Sequence, residues 1–196
     1  MGVTIPRIEL GILGGVFDPP HLGHVALARA AIANLGLERL LVLVNEDPGH
    51  KRAMAPADAR LELARLAFEE LPEVEVGLDR HPRTVDMLEE LRPKNAAFVV
   101  GADELADFGT WKEPARVLEL VCLGVAMRPG VPAGRLLEAR ARVPAPERVS
   151  SFDMEPVAVS SSDVRERIAR GEPIDDLVPR RVAEAIARLH LYRGPE

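Results

Sequence analysis

Two of the five histidines of this 196-residue chain, His21 and His24, stand three residues apart in the stretch GGVFDPPHLGH, which runs from Gly14 to His24. Imidazoles at this spacing on the first turn of a helix share a face and can point at the same oxygens. The residues ahead of them indicate which oxygens. Gly14 and Gly15 permit close backbone approach and an unusual φ, and Pro19 and Pro20 stiffen the turn. A helix start behind such a turn offers free N–H groups and the positive end of a dipole to an anion. Gly23, between the histidines, keeps the helix surface bare where a flat base or a phosphate would press against it. This is a phosphate site in outline. A Walker A loop needs G-x-x-x-x-G-K-[ST], and neither Lys nor Ser/Thr follows these glycines. A dinucleotide fingerprint needs G-x-G-x-x-G, and GILGGV has other spacing, although Glu46 ends the second strand. A metal site on Asp18, His21 and His24 is a third reading, with no further clustered His or Cys to complete it.

The elements that must position this stretch follow from periodicity. IELGILGGV is a buried strand entering a Gly turn, and HLGHVALARAAIANLGL is a helix closed by Gly36. RLLVLVN is a second strand, followed by the loop EDPGHKRAMAP and the helix ADARLELARLAFEEL, which Asp58 would cap. VEVG reads as a short strand, TVDMLEELR as a helix opened by Thr84, and AAFVVGA as another buried strand. After a polar connection come the helical EPARVLEL and the strand CLGVAMR. The segment from Val131 to Glu147 is ambiguous between helix and loop, VSSFDMEPVAVS offers one or two short strands, and SSDVRERIARG and VPRRVAEAIARLH close the chain as helices. Alternation of this kind implies right-handed βαβ units and an α/β fold, a Rossmann-like doubly wound parallel sheet with helices on both faces. GGVFDPPHLGH then leaves the carboxyl end of the first strand, the crevice where open α/β sheets bind ligands.

Composition narrows the partners. Length and 47% hydrophobic content suit one domain with a sizeable core. A net charge of -6 and a pI near 5.5 argue against a nucleic-acid-coating surface but leave room for one small anionic ligand. Cys122 is the only cysteine, so neither a disulfide framework nor a Cys-rich metal site is expected. The first fifteen residues contain Pro6 and Glu9 where a signal peptide needs an apolar core, and no stretch approaches the roughly 20 apolar residues of a membrane span. A reduced, cytoplasmic setting fits. Among 22 Arg and 3 Lys, Lys51 stands out on the loop after the second strand. Asp103 directly follows the strand AAFVVGA, at a carboxyl end suited to a ribose or nucleotide contact, while His50, His81 and His190 lack a constellation and read as surface.

GGVFDPPHLGH resembles the G-[GS]-x-F-D-P-x-H-x-G-H signature of the H-x-G-H nucleotidyltransferase superfamily, and VSSSDVR at Val159 to Arg165 resembles its I-S-S-T-x-I-R signature. Between and beyond them, GHK, RTVDML, GADELADFGTWKEPARVLEL, RPG and GEPIDDLVPRRVAEAI are similar to segments of bacterial nicotinate mononucleotide adenylyltransferases. The departures are Val16 for Thr or Ser, Arg83 for Tyr, Met87 for Thr and Ser162 for Thr. The resemblance implies transfer of the adenylyl group of ATP to nicotinate mononucleotide, with Mg²⁺ accompanying ATP. It implies catalytic roles for His21, His24, Lys51 and Arg165, and an ATP site of Gly14, Gly15, Val16, Phe17, His21, Gly23, His24, Ser160, Ser161, Ser162 and Arg165. The mononucleotide would meet Lys51, Arg83, Thr84, Asp103 and Trp111, with Trp111 stacking on the pyridine ring. Residues 1–196 would form one nucleotidyltransferase domain, with 160–196 a C-terminal helical part completing the ATP site. The expected partners are these two small molecules, with no nucleic acid or membrane and the oligomeric state open. The alternatives are another adenylyl- or cytidylyltransferase of the superfamily, such as pantetheine-phosphate adenylyltransferase, which would lack GADELADFGTW, or a non-catalytic nucleotide-binding regulator.

Overall fold

The computed structural model describes residues 8–48, 53–127 and 138–193. Its six described strands are β1 Leu10–Gly15, β2 Arg39–Asn45, β3 Val74–Asp79, β4 Ala96–Gly101, β5 Cys122–Met127 and β6 Val149–Asp153. They form one sheet in the order β3-β2-β1-β4-β5-β6, with every neighbouring pair parallel. The helices include α1 Leu22–Leu35, α2 Ala57–Phe68, α3 Thr84–Leu91, α4 Ala102–Asp107, α5 Pro114–Leu120, α6 Ser161–Ala169 and α7 Arg180–Arg188. No described helix is long and apolar enough to cross a membrane.

A parallel sheet covered on both faces needs strands apolar on both sides. In β1, Ile12 joins the core packed under α3, α4 and α5, while its neighbour Leu13 joins the core under α1, α2, α6 and α7. Leu40, Val42 and Val44 of β2 are fully enclosed on the α1 side. The strand order reverses between β1 and β4, which pair from Leu10 opposite Ala96 to Ile12 opposite Phe98, short of Gly15 and Gly101 where the two strands end. Their helices depart to opposite faces and open the crevice between them.

Gly36 closes α1 as expected, with φ 65° and its N–H bonded to the Ile32 carbonyl. Asp58 does not cap α2. Pro56 occupies that position with extended backbone, and Asp58 sits in the first turn, accepting the Ala59 N–H at 2.8 Å where its charge still favours the helix. The polar connection after β4 is α4 followed by a 3-10 turn at Phe108–Thr110. Leu105 and Phe108, three apart and both buried, hold it down, a helical spacing masked by the polar residues around them. Of the ambiguous segment, residues 138–141 are helical and Pro146–Arg148 form a 3-10 turn. VSSFDMEPVAVS makes a single strand, and Pro156 beyond it has no N–H for the ladder.

Candidate active site

The chain leaves β1 through a turn whose strain falls on Phe17 and not on the glycines. Phe17 has φ 50° and is buried, its ring tilted on His24 at 4.9 Å and edge-on to Phe68 at 6.0 Å. Gly15 is required by packing, because a Cβ there would lie 2.9 Å from the Phe17 ring. The Asp18–Pro19 peptide is cis, and Asp18, Pro19 and Pro20 are all buried.

His21 is the N-cap residue of α1 and His24 the third residue of the helix. The His21 backbone N–H donates to His24 Nδ1 at 3.2 Å, and the two rings stack at 3.7 Å between centroids. Since the backbone can only donate, His24 Nδ1 is an acceptor, and the neutral ring carries its proton on Nε2. Burial of the His24 ring holds its pKa well below the ordinary value, and positive charge on His21 would lower it further. His24 is therefore a neutral Nε2–H donor at pH 7. Gly23 is bare for an internal reason: a Cβ would lie 3.0 Å from the His21 ring and 3.4 Å from Val159. The helix start is partly occupied by its own chain, since the Leu22 N–H donates to the Leu177 carbonyl at 2.9 Å.

The two ends of the sequence meet at this turn. Ser161 Oγ donates to the Pro19 carbonyl at 2.8 Å, and Arg165 Nη1 donates to the Asp18 carbonyl at 2.6 Å while Nη2 reaches Ser162 Oγ at 3.1 Å. Ser160 caps α6, accepting the Asp163 N–H at 3.1 Å while Asp163 accepts the Ser160 N–H at 2.8 Å. Hydroxyls, a guanidinium and two imidazoles thus converge from segments about 140 residues apart. The carboxylate of Asp18 is engaged elsewhere: it accepts the N–H groups of Met54 at 2.7 Å and Ala55 at 3.0 Å and the Tyr192 hydroxyl at 2.9 Å. A metal site on Asp18, His21 and His24 is left without its carboxylate.

One residue of this region escaped the sequence reading. Arg60 is 1% exposed and donates to four carbonyls, those of Val16 at 2.8 Å, Asn45 at 2.6 Å, Glu46 at 2.9 Å and Ala55 at 3.1 Å. It rivets the carboxyl ends of β1 and β2 to the start of α2. The available signal was its position, three, four, seven and eight residues before Leu63, Ala64, Ala67 and Phe68, on the stripe of α2 that is buried.

Across the crevice, Asp103 is exposed in the first turn of α4, just past the end of β4. Trp111 is half-buried, edge-on to Phe98 at 5.8 Å and tilted on Phe108 at 5.2 Å. Thr84 is the first residue of α3, and Arg83 is its exposed N-cap residue, donating to the Pro82 carbonyl at 2.7 Å. Asp86, in the same turn, is paired with Lys112 at 2.7 Å, beside Trp111 in sequence. His81 is held in place: Nδ1 lies 2.8 Å from Asp79 Oδ1 and Nε2 lies 3.0 Å from Glu90 Oε2. Hydrogen bonds to Glu90 first and Asp79 second raise its pKa above the ordinary value. Lys51 and its neighbour His50 lie outside the described residues.

A parallel sheet of this order, with a stacked imidazole pair at the first switch-point turn and a Ser/Arg motif docked on it, defines a nucleotidyltransferase-type site. The cytidylyltransferase-like family model accordingly matches residues 12–167. The chain is 41% identical to the "Probable nicotinate-nucleotide adenylyltransferase" of Thermomicrobium roseum, covering 96% of this chain and 93% of that relative. It is 39% identical to the protein of the same name from Thermus thermophilus, over 95% of this chain and 100% of the relative. The fold matches the solved Plasmodium falciparum nicotinic acid mononucleotide adenylyltransferase complexed with NaAD at a TM-score of 0.72, with 19% identity over 94% of this chain and 97% of that one. The chain belongs to the nicotinate-nucleotide adenylyltransferase family.

Proposed function

We propose that this chain transfers the adenylyl group of ATP to nicotinate mononucleotide, giving nicotinate adenine dinucleotide and pyrophosphate in NAD biosynthesis. The observation that carries the reading is the docking of Ser161 and Arg165 on the Pro19 and Asp18 carbonyls immediately before the histidine pair. The donor types it gathers are those that match phosphate oxygens.

A phosphate oxygen of the mononucleotide attacks the α-phosphorus of ATP, a new P–O bond forms, and the bond to the β-bridging oxygen breaks, releasing pyrophosphate. No protein nucleophile is required, so catalysis rests on positioning and on donors aimed at oxygens that gain charge. His21 and His24 donate to the α-phosphoryl oxygens. Arg165, with Ser161 and Ser162, holds the β/γ side; Ser160 contributes by capping their helix, and Gly14, Gly15, Val16 and Phe17 shape the floor. Lys51 contacts phosphate as a compact charge. Arg83, Thr84, Asp103 and Trp111 hold the mononucleotide. Because the Asp18 carboxylate already accepts three donors, Mg²⁺ would enter as a companion of ATP and not as a ligand of this turn. When bound it neutralises phosphate charge. Residues 1–196 act as one cytoplasmic domain on two small molecules, with 160–196 completing the ATP side.

Replacing His21 or His24 by Ala tests the reading. Each change should lower kcat by roughly a hundred- to a thousandfold, the usual loss for one preorganised donor, with an unaltered circular dichroism spectrum. Near-wild-type turnover of either variant at saturating ATP would remove the imidazole pair from catalysis.

A further inference from the structure

Tyr192 is the only tyrosine in the chain and lies beyond the last helix, in a left-handed conformation with φ 62°. Tyr192 is 7% exposed, and its hydroxyl donates to Asp18 Oδ1 at 2.9 Å, across 174 residues of sequence. Burial and the neighbouring Asp18 charge keep that hydroxyl protonated, so it remains a donor.

Asp18 links four segments. Its carboxylate takes Met54, Ala55 and Tyr192, and its main-chain carbonyl takes Arg165 at 2.6 Å. Arg60 donates to the carbonyls of Val16, two residues before Asp18, and of Ala55, whose N–H the Asp18 carboxylate accepts. Asp18 is thus held at both ends, its side chain by Met54, Ala55 and Tyr192 and its main-chain carbonyl by Arg165, three residues before His21.

We infer that Tyr192 is a positioning residue for adenylyl transfer, its hydroxyl completing the Asp18 shell so that the chain's tail fixes the turn presenting His21, His24 and Arg165 to ATP. This rests on the adenylyltransferase reading and extends it to a residue far from the two signatures. Four anchors bear on the same turn from the C-terminal segment: Ser161 on Pro19, Arg165 and Tyr192 on Asp18, and Leu177 on Leu22. Ser161, Arg165 and Leu177 grip main-chain carbonyl or N–H groups. Tyr192 reaches the Asp18 side chain through its own side chain, and a single atom can be removed to test it.

The test uses the full chain and pyrophosphate release at a temperature where circular dichroism shows wild type and Tyr192→Phe fully folded. Loss of the hydroxyl should lower kcat per folded molecule about tenfold, equal to about 1.4 kcal/mol, while KM for the mononucleotide stays within about twofold. Tyr192→Phe combined with His24→Ala should be little slower than His24→Ala alone, because both act on one constellation. Unchanged kcat per folded molecule, or a fully multiplicative double variant, overturns the inference. A second measurement does not require the variant to fold: 3-fluorotyrosine labels Tyr192 alone, giving one fluorine resonance that should shift on saturation with ATP. A resonance that ATP does not move also overturns it. Absence of pyrophosphate release by the wild-type chain would instead remove the adenylyltransferase reading on which the inference rests.

Discussion

His24 Nδ1 accepts the backbone N–H of His21 at 3.2 Å, so one contact caps the helix, stacks the two rings and selects the tautomer of the second. Nitrogen-15 NMR of the imidazoles should show His24 as the Nε2–H tautomer across neutral pH, titrating below the ordinary histidine value of about 6.5. The unfolded chain binds a proton at His24 that the folded chain refuses. This contribution to stability is therefore present above about pH 6.5 and is lost as pH falls through that value toward the folded pKa. A His24 resonance titrating above the ordinary value would contradict the assignment of the ring as a neutral donor.

Gly23→Ala should lower kcat between about tenfold and a hundredfold, since sub-ångström misplacement of a catalytic group is felt at that scale. The added Cβ meets the His21 ring at 3.0 Å and Val159 at 3.4 Å, so the ring must shift. Wild-type turnover with Ala at this position would show that the His21 orientation described above is not the one that reacts.

The fold class was legible because apolar runs of strand length alternate with helical stretches along the whole chain, and parallel sheets advertise themselves in that way. The address of GGVFDPPHLGH at a strand end was legible for the same reason. That His21 and His24 share one place at the helix start could be read from their spacing, but how the turn is held could not. Asp18 offered in sequence only a metal reading with no further ligands to complete it, and in space it is an internal anchor, invisible in sequence because its partners Met54, Ala55 and Tyr192 are 36 to 174 residues away. Arg60 was hidden by its charge, since a guanidinium on an apolar stripe reads as solvated unless the carbonyls it serves are known. His81 read as surface for the equivalent reason: Glu90 lies on α3, and only the fold brings it to the imidazole. The unusual φ expected at Gly14 or Gly15 sits at Phe17, where burial of the ring compensates for it.

Arg60→Met should destabilise the chain by about 3 kcal/mol or more, because up to four carbonyls lose a charged donor and buried polar groups left unpaired each cost about 1–3 kcal/mol. Urea unfolding followed by circular dichroism measures this. A loss within 1 kcal/mol, the range of an ordinary surface change, would mean that water replaces the guanidinium without penalty.

His81 gives the opposite pH signature to His24. Its folded pKa is raised by Glu90 and Asp79, so the folded chain binds more protons, and the stabilisation is full below about pH 6.5 and declines as pH rises through the folded value. The difference in melting temperature between wild type and His81→Gln should be larger at pH 6 than at pH 8. A difference independent of pH would assign His81 a packing role only.

An acid in the first turn of α3 would repel a substrate carboxylate, but Asp86 is paired with Lys112 at 2.7 Å, which offsets its charge. Nicotinate mononucleotide should exceed the nicotinamide form in kcat/KM by at least roughly tenfold, or about 1.4 kcal/mol. Lys112→Ala and Arg83→Ala should each narrow that gap by raising KM for the acid. If both variants keep the wild-type ratio, the carboxylate is recognised by other groups.

Adenylyl transfer to a pyridine mononucleotide is decided by pyrophosphate release from the purified wild-type chain with ATP, Mg²⁺ and a panel of phosphate acceptors. Stoichiometric pyrophosphate and nicotinate adenine dinucleotide are expected with nicotinate mononucleotide, and little release with phosphopantetheine or without an acceptor. Faster release with phosphopantetheine, or ATP binding with no pyrophosphate from any mononucleotide, would contradict it.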